Sequence, residues 1–193
     1  MAGPVTVEST AIALGLAQIR VALAATHIDK NTRQLTASDS IGSLASTKFT
    51  SEVEFFRHES GFPLLEDVTI PLREKAMLEC AFEELTPANM ALAQGKDLTT
   101  YSAAHSGEIA LGALATPTNL RMEAVYTYPD GTNTMNIIFP RAQVSASPEI
   151  DLQKEDAVAV TVVFESKQAD SNNSAGSSAW DGRPLGSIQF LSA

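Results

Sequence analysis

The chain has 193 residues, of which 44% are hydrophobic and 19% charged, a composition that excludes a disordered protein and predicts a real core. Its length predicts one domain over residues 1–193. The formal net charge of -10 argues against a protein that wraps nucleic acid, and the single cysteine, Cys80, excludes an internal disulfide or a thiolate metal site.

The first predicted strand covers residues 11–24, where apolar and polar side chains alternate near the end. It lies in an apolar stretch over residues 5–25 that has no basic start and is interrupted by Glu8 and Arg20. We therefore expect neither an export signal nor a membrane span here. Residues 26–47 are polar and small, which predicts a loop.

Two long strands are predicted next, over Lys48–Phe56 and Val68–Phe82, because both runs alternate as half-buried strands do. Residues 57–67 between them contain Gly61 and Pro63 and predict a projecting loop. In the first run Phe49, Ser51, Val53 and Phe55 share the expected core face. In the second run that face consists of Val68, Ile70, Leu72, Leu78, Cys80 and Phe82.

A short helix is predicted over Thr86–Gly95, since Thr86 can cap it and Pro87 at the first helical position loses no hydrogen bond. Residues 96–118 give no clear assignment. The remaining elements are a hairpin over 121–146 with a turn at 129–131, a buried strand over 157–167, a flexible Ser-, Asn- and Gly-rich loop over 168–184 with an exposed Trp180, and a closing strand over 185–191.

These elements predict a mostly β fold. Turn signals recur without the alternating helices of a parallel sheet, which favours an antiparallel β-sandwich or barrel of seven to eight strands with one short α-helix.

No catalytic arrangement is visible in the sequence. His27, His58 and His105 lie far apart and outside any zinc-binding spacing, and Cys80 falls on an apolar strand face, where a buried inert thiol is expected. Gly107 and Gly112 are not followed by the Gly-Lys-Ser/Thr of a phosphate loop. We therefore expect no enzyme activity and no cofactor.

Two other features favour ordinary surface roles. The acidic residues Asp151, Glu155 and Asp156 lack the ordered spacing of a calcium loop and predict a solvated connection. Trp180, beside Asp181 and Gly182, is more typical of a contact with a partner than of a sugar site.

The order of elements resembles that of phage tail tube proteins. The likeness covers an early strand, a long polar loop, the two long strands around a projecting connection, and the helix at 86–95. It continues through AVYTYPDGTNTMNIIFPRAQVSASPEIDLQKEDAVAVTVVFES, which is similar to the hairpin, connecting loop and last long strand of that family.

The resemblance implies hexameric rings that stack into a tube, with a lumen lined by a shared β-barrel to which each subunit adds four strands. It implies assembly in the host cytoplasm into a virion tail, with tape measure, terminator and baseplate proteins as further partners. DNA would pass through without specific binding, and the chain would not insert into a membrane. Because the family's lumen is acidic, the candidate lumen-lining residues are Glu52, Glu54, Glu79 and Glu83.

The projecting loop is the expected contact between rings. Phe62, Leu64 and Leu65 are apolar residues with little reason to lie at an exposed tip unless a neighbour covers them. Two alternatives stay open: a β-sandwich binding module for carbohydrate or adhesion that uses Trp180 and the tyrosines, and the tube of a bacterial phage-like injection device.

Overall fold

A computed structural model describes most of the chain. The described residues are 15, 17–60, 65–96, 108–112, 116–145, 148–150 and 158–192, without the side chains of residues 60, 65 and 66. No helix within these ranges is long and apolar enough to cross a membrane.

The described part of the chain contains seven strands and one α-helix. The strands are β1 (Gln18–Leu23), β2 (Leu44–Ser60), β3 (Leu65–Phe82), β4 (Leu120–Thr127), β5 (Thr134–Val144), β6 (Val160–Ser166) and β7 (Ser187–Leu191). The helix is α1 (Pro87–Ala93), and short 3-10 turns lie at Ala24–Thr26, Ala37–Asp39 and Ser178–Trp180.

All strand pairs are antiparallel and belong to one sheet with the order β1-β4-β5-β6-β3-β2. β7 pairs with β5 at residues 134–138, and β6 pairs with β5 at residues 142–144. β6 and β7 therefore follow one another along the same edge of β5. The predicted mostly β, antiparallel fold with one helix is confirmed, and the sheet is not closed into a barrel.

One face of this sheet forms the main core. The side chains of Leu78, Cys80 and Phe82 alternate into it from β3, and those of Val160, Val162 and Phe164 from β6. The rings of Phe49 and Phe139 pack against one another in this core, with their centroids 6.3 Å apart. Cys80 is fully buried, as expected, and its burial raises the pKa of the thiol to about 12.

The helix begins and ends as predicted. The Thr86 hydroxyl accepts a hydrogen bond from the backbone N–H of Asn89, Pro87 occupies the first turn, and Gly95 follows with φ of 69°. Leu92 and Ala93 are buried in the main core, so the helix covers part of the apolar face.

The two long strands are longer than predicted. β2 begins at Leu44, inside the predicted loop 26–47, and β2 and β3 stay paired as far as Ser60 and Leu65. The predicted loop 57–67 is therefore wrong at both ends, since only residues 61–64 remain between the strands. The Gly61 and Pro63 signals lie outside the described residues.

Candidate functional site

The outer halves of β2 and β3, residues 51–60 and 65–74, form a two-stranded ribbon that we call the arm. Val53 and Phe55 are exposed on β2 within it, and Phe56 and Ile70 are each about half exposed, at 49% and 48%. The prediction that Val53, Phe55 and Ile70 lie in the core is wrong. The strands run beyond the part of the sheet that other elements cover.

A register shift explains part of this error. Glu54 lies opposite Arg73, but Phe55 lies opposite Pro71, so Leu72 is an extra residue that forms a β-bulge. The bulge reverses the alternation along β3. Ile70 and Val68 therefore lie on the sheet face opposite to Leu78, and Leu72 itself is 62% exposed.

The face of β2 and β3 opposite to the core carries rows of opposite charges, and we call it the ladder face. Residues directly opposite in antiparallel strands share a face. The register places Glu52 opposite Lys75, Glu54 opposite Arg73, and Lys48 opposite Glu79. On the neighbouring β6, Glu165 lies on the same face and pairs with Lys167 at 2.9 Å.

Three of the four predicted lumen residues thus lie together on one exposed face. Glu52, Glu54 and Glu79 share it, each with a cation across the strand pair. Glu83 lies just after β3, where its carboxylate accepts a hydrogen bond from the Ser43 hydroxyl at 2.9 Å. The ladder face carries both signs of charge, so it is less acidic than the net charge of -10 suggested.

A buried ion pair on β4, which is separated from β3 by β5 and β6, anchors the loop at residues 27–35, and we call this arrangement the clamp. Arg121 Nε lies 2.7 Å from Glu123 Oε1, and both side chains are fully buried. Burial lowers the pKa of the Arg121 guanidinium, whereas the hydrogen bond and charge of Glu123 raise it. Such a pair persists only if its remaining donors and acceptors are satisfied.

The loop backbone satisfies them. Arg121 Nη1 donates to the carbonyls of His27 and Lys30 at 2.8 and 2.7 Å, and Nη2 donates to Thr32 at 2.7 Å. Glu123 accepts hydrogen bonds from the backbone N–H groups of Gln34 and Leu35. The ion pair therefore anchors the backbone of the irregular loop at five residues.

Trp180 completes the clamp, and its predicted exposure is wrong. The indole is 0% exposed and its Nε1 donates to the Ile28 carbonyl at 2.8 Å. The guanidinium groups of Arg121 and Arg183 lie 5.9 and 5.5 Å from the ring centroid. The predicted flexible loop 168–184 is tied down as well, since Ala169 N–H donates to Pro184.

The structure describes only some of the remaining candidate residues. Phe62 and Leu64 lie outside the described residues, and Leu65 begins β3 without a described side chain, so their contact between rings stays a prediction. Asp151, Glu155 and Asp156 also lie outside them. His58 is exposed on the arm. Within the described ranges, no three His, Cys, Asp or Glu side chains are grouped as metal ligands.

The sequence analysis missed Arg121 and Glu123. A signal for them exists, because two charges of opposite sign alternate with Met122 and Ala124 inside a strand. The sequence analysis included them in the hairpin over 121–146 without giving them a role, whereas β4 is buried on both faces.

Comparisons with known proteins add little. No family model matches the chain, and no curated protein matches it in sequence. Among solved structures, the chain is similar to the anti-feeding prophage cap, described as a tube-terminating cap, over 100% of this chain and 95% of that one. At 9% identity and a TM-score of 0.41, this similarity establishes neither a shared fold nor a shared function.

Proposed function

We propose that the chain is a structural subunit that assembles with copies of itself into stacked hexameric rings, the tail tube of a phage or of a related injection particle. The observation that carries this proposal is the arm. It presents large apolar side chains on both faces, including Phe55 and Phe56, and a surface of this kind is typical of an interaction site.

The free edge of β2 supports self-assembly. Its only partner among the described strands is β3, so the other side of a 17-residue strand offers backbone donors and acceptors to a further chain. The adjacent strands β6, β3 and β2 carry the exposed charges of the ladder face, which is available to line a channel.

Negative-stain microscopy with light scattering over a concentration series tests the assembly. Rings or tubes should appear without any added cofactor. A monomer that persists at high concentration, with no rings on the grid, would contradict the proposal. At the tip, Phe62→Ser with Leu64→Ser should leave the monomer folded but shorten or abolish tubes, whereas tubes of normal length would remove those residues from the contact.

The channel wall is tested separately through its charge. Glu52→Lys with Glu54→Lys would leave the ladder face strongly basic, because Arg73 and Lys75 lie opposite these positions. Basic residues hold phosphates, so DNA release from complete particles should slow at low salt and recover partly as salt screens the charges. A dye that binds released DNA reports the rate.

Arg73→Glu with Lys75→Glu is the matched control, since it changes the same rows in the opposite direction and should not slow release. Unchanged release in the lysine variant would show that Glu52 and Glu54 do not line the channel. If tubes form in particles that carry no DNA, the injection-device form of the proposal is favoured. The alternative of a carbohydrate-binding module is disfavoured, because Trp180, its main candidate binding residue, is buried.

A further inference from the structure

A cleft of about 280 Å³ opens beside the base of the arm, where the apolar face of the sheet reaches solvent. Its lining includes Phe49, Val53, Ala76, Ile137, Phe139 and Ile188. Phe139 and Ile137 belong to the main core and are almost fully buried, whereas Val53 and Ile188 are exposed at the rim. The cleft is therefore an opening into the core rather than a groove on a polar surface.

The backbone on both sides of the cleft can accept a further strand. β3 pairs with β6 only from Met77 onward, and β7 pairs with β5 on one side. Among the described strands, residues 74–76 of β3 pair with β2 alone and β7 pairs with β5 alone. A strand that entered here would find unused edges together with an apolar floor.

The arm matches this opening in chemistry and size. Phe56 lies opposite Ile70 and His58 opposite Val68, so one arm face presents Phe56, Ile70 and Val68 side by side, all exposed. An apolar cavity of about 150 Å³ can hold a benzene molecule. The cleft therefore has room for the ring of Phe56 together with an aliphatic side chain such as Ile70.

The arm that enters cannot be the chain's own. Val53 and Glu74, at the base of the arm, form one wall of the cleft, and the two strands stay paired with each other, through two register shifts, as far as Ser60 and Leu65. The outer part of the arm is therefore directed away from its own cleft. Only a second copy can bring Phe56 to it.

Charge favours the same pairing. Apart from Glu74, which lines the cleft, the arm contains five acidic and two basic residues. The charged residues that line the cleft are Glu74, Lys75 and Arg183, so the cleft carries an excess of positive charge. An acidic arm and a weakly basic cleft attract each other on approach.

We propose that the arm of one copy docks in the cleft of a second copy, with Phe56 and Ile70 as the inserted side chains. This inference rests on the proposed function, and it identifies the surface of one copy that receives the arm of the next. Donor and acceptor are different surfaces of one chain, so the contact is heterologous and repeats from copy to copy, as a stack requires.

Cysteine cross-linking tests the contact directly. Cys80 is a suitable background because it is buried and its pKa is raised to about 12. One copy carries His58→Cys, on the docking face of the arm, and the other carries Ser187→Cys, at the cleft. Mixing them under mild oxidation should give a disulfide-linked dimer, with about tenfold more product than a partner carrying Thr132→Cys, since docking raises the effective concentration.

A second pair of variants distinguishes docking in the cleft from nonspecific hydrophobic association. Phe56→Ser with Ile70→Ser should weaken self-association at least about tenfold, because two apolar side chains lose their burial. Leu111→Ser removes a side chain that is 84% exposed and lies outside the arm, and it should change nothing. Emission from Trp180 checks that each variant is folded.

The outcomes distinguish this inference from the tube proposal. If tubes form but His58→Cys and Ser187→Cys give no more product than the Thr132→Cys control, the docking site is wrong and the tube stands. If the cross-link forms without rings or tubes, docking stands and the tube proposal fails. If neither appears, both are overturned.

Discussion

The clamped loop at residues 27–35 and the arm at residues 51–60 and 65–74 differ in two properties, which are regular secondary structure and contact with the rest of the fold. The loop has no strand of its own, yet Arg121, Glu123 and Trp180 fix its backbone from a buried position. The arm has two long strands that pair with each other along its length, yet its apolar side chains are exposed.

A segment can therefore have regular secondary structure without being covered by the rest of the fold, and it can be covered without having regular structure. A two-stranded ribbon by itself is marginally stable in water, because it lacks a third strand or a helix to cover it. The loop needs no partner because its hydrogen bonds are satisfied inside the chain. The arm gains cover only when a second molecule supplies it.

The largest expected effect comes from breaking the clamp. Arg121→Met leaves the Glu123 carboxylate buried without its cation, so the free energy of unfolding should fall by about 3–5 kcal/mol in urea titrations. Lys167→Met is the matched control, because the Lys167–Glu165 pair is partly exposed and such pairs contribute about 0–1 kcal/mol. Equal effects of the two variants would mean that the clamp does not hold the fold.

A smaller effect is expected at Trp180. Trp180→Phe keeps an aromatic ring but removes the Nε1–H, which leaves the Ile28 carbonyl without that donor and should cost about 1–3 kcal/mol. Because this is the chain's only tryptophan, acrylamide quenching of the unmodified protein reports its burial. Strong quenching in the folded state would contradict the clamp.

Cys80, in the part of β3 that contributes to the main core, should give a pH-dependent loss of stability of similar or lesser size. The raised pKa of Cys80 keeps the thiol protonated in the fold, whereas the unfolded thiol ionises near pH 9. Stability from this group is therefore complete below pH 9 and is lost as the pH rises toward 12. At pH 10 the loss should be about 1.4 kcal/mol.

The comparison that isolates this loss is between the unmodified chain and Cys80→Ala, both unfolded in urea at pH 7 and pH 10. Tyrosine and lysine titration affects both proteins alike. If the gap in unfolding free energy between them is the same at both pH values, the thiol is not buried in the manner described.

The smallest effect on stability is expected from removing the arm. Joining Val53 to Glu74 through an Asn-Gly turn suits a two-residue hairpin connection. The thermal midpoint should stay within about 2–4 °C of the unmodified chain, the shift that about 1 kcal/mol produces at this size. Light scattering should show a monomer that no longer assembles. A much larger drop in the midpoint would show that the arm supports the body.

Local patterns were sufficient for elements whose surroundings match their alternation. The cap at Thr86, the turn after Tyr128 and the buried side of β6 were all predicted, because each depends on residues close together in the chain. The burial of Cys80 followed from its place on an apolar face. The fold class came from the same signals.

Alternation along a strand determines which side chains share a face, and a bulge such as that at Leu72 interrupts it without a clear mark in the sequence. Whether a face is covered depends on segments distant in the chain. The pattern of Val53 and Phe55 is the same whether a core or a second molecule covers them. Trp180 looked exposed in a polar segment, but packing against Arg121, 59 positions earlier, buries it. The sequence alone thus determined the strands, the helix and the amphipathic faces of segments without a bulge, such as β6, whereas the tertiary structure decided which faces are covered, because burial depends on contacts that only folding brings together.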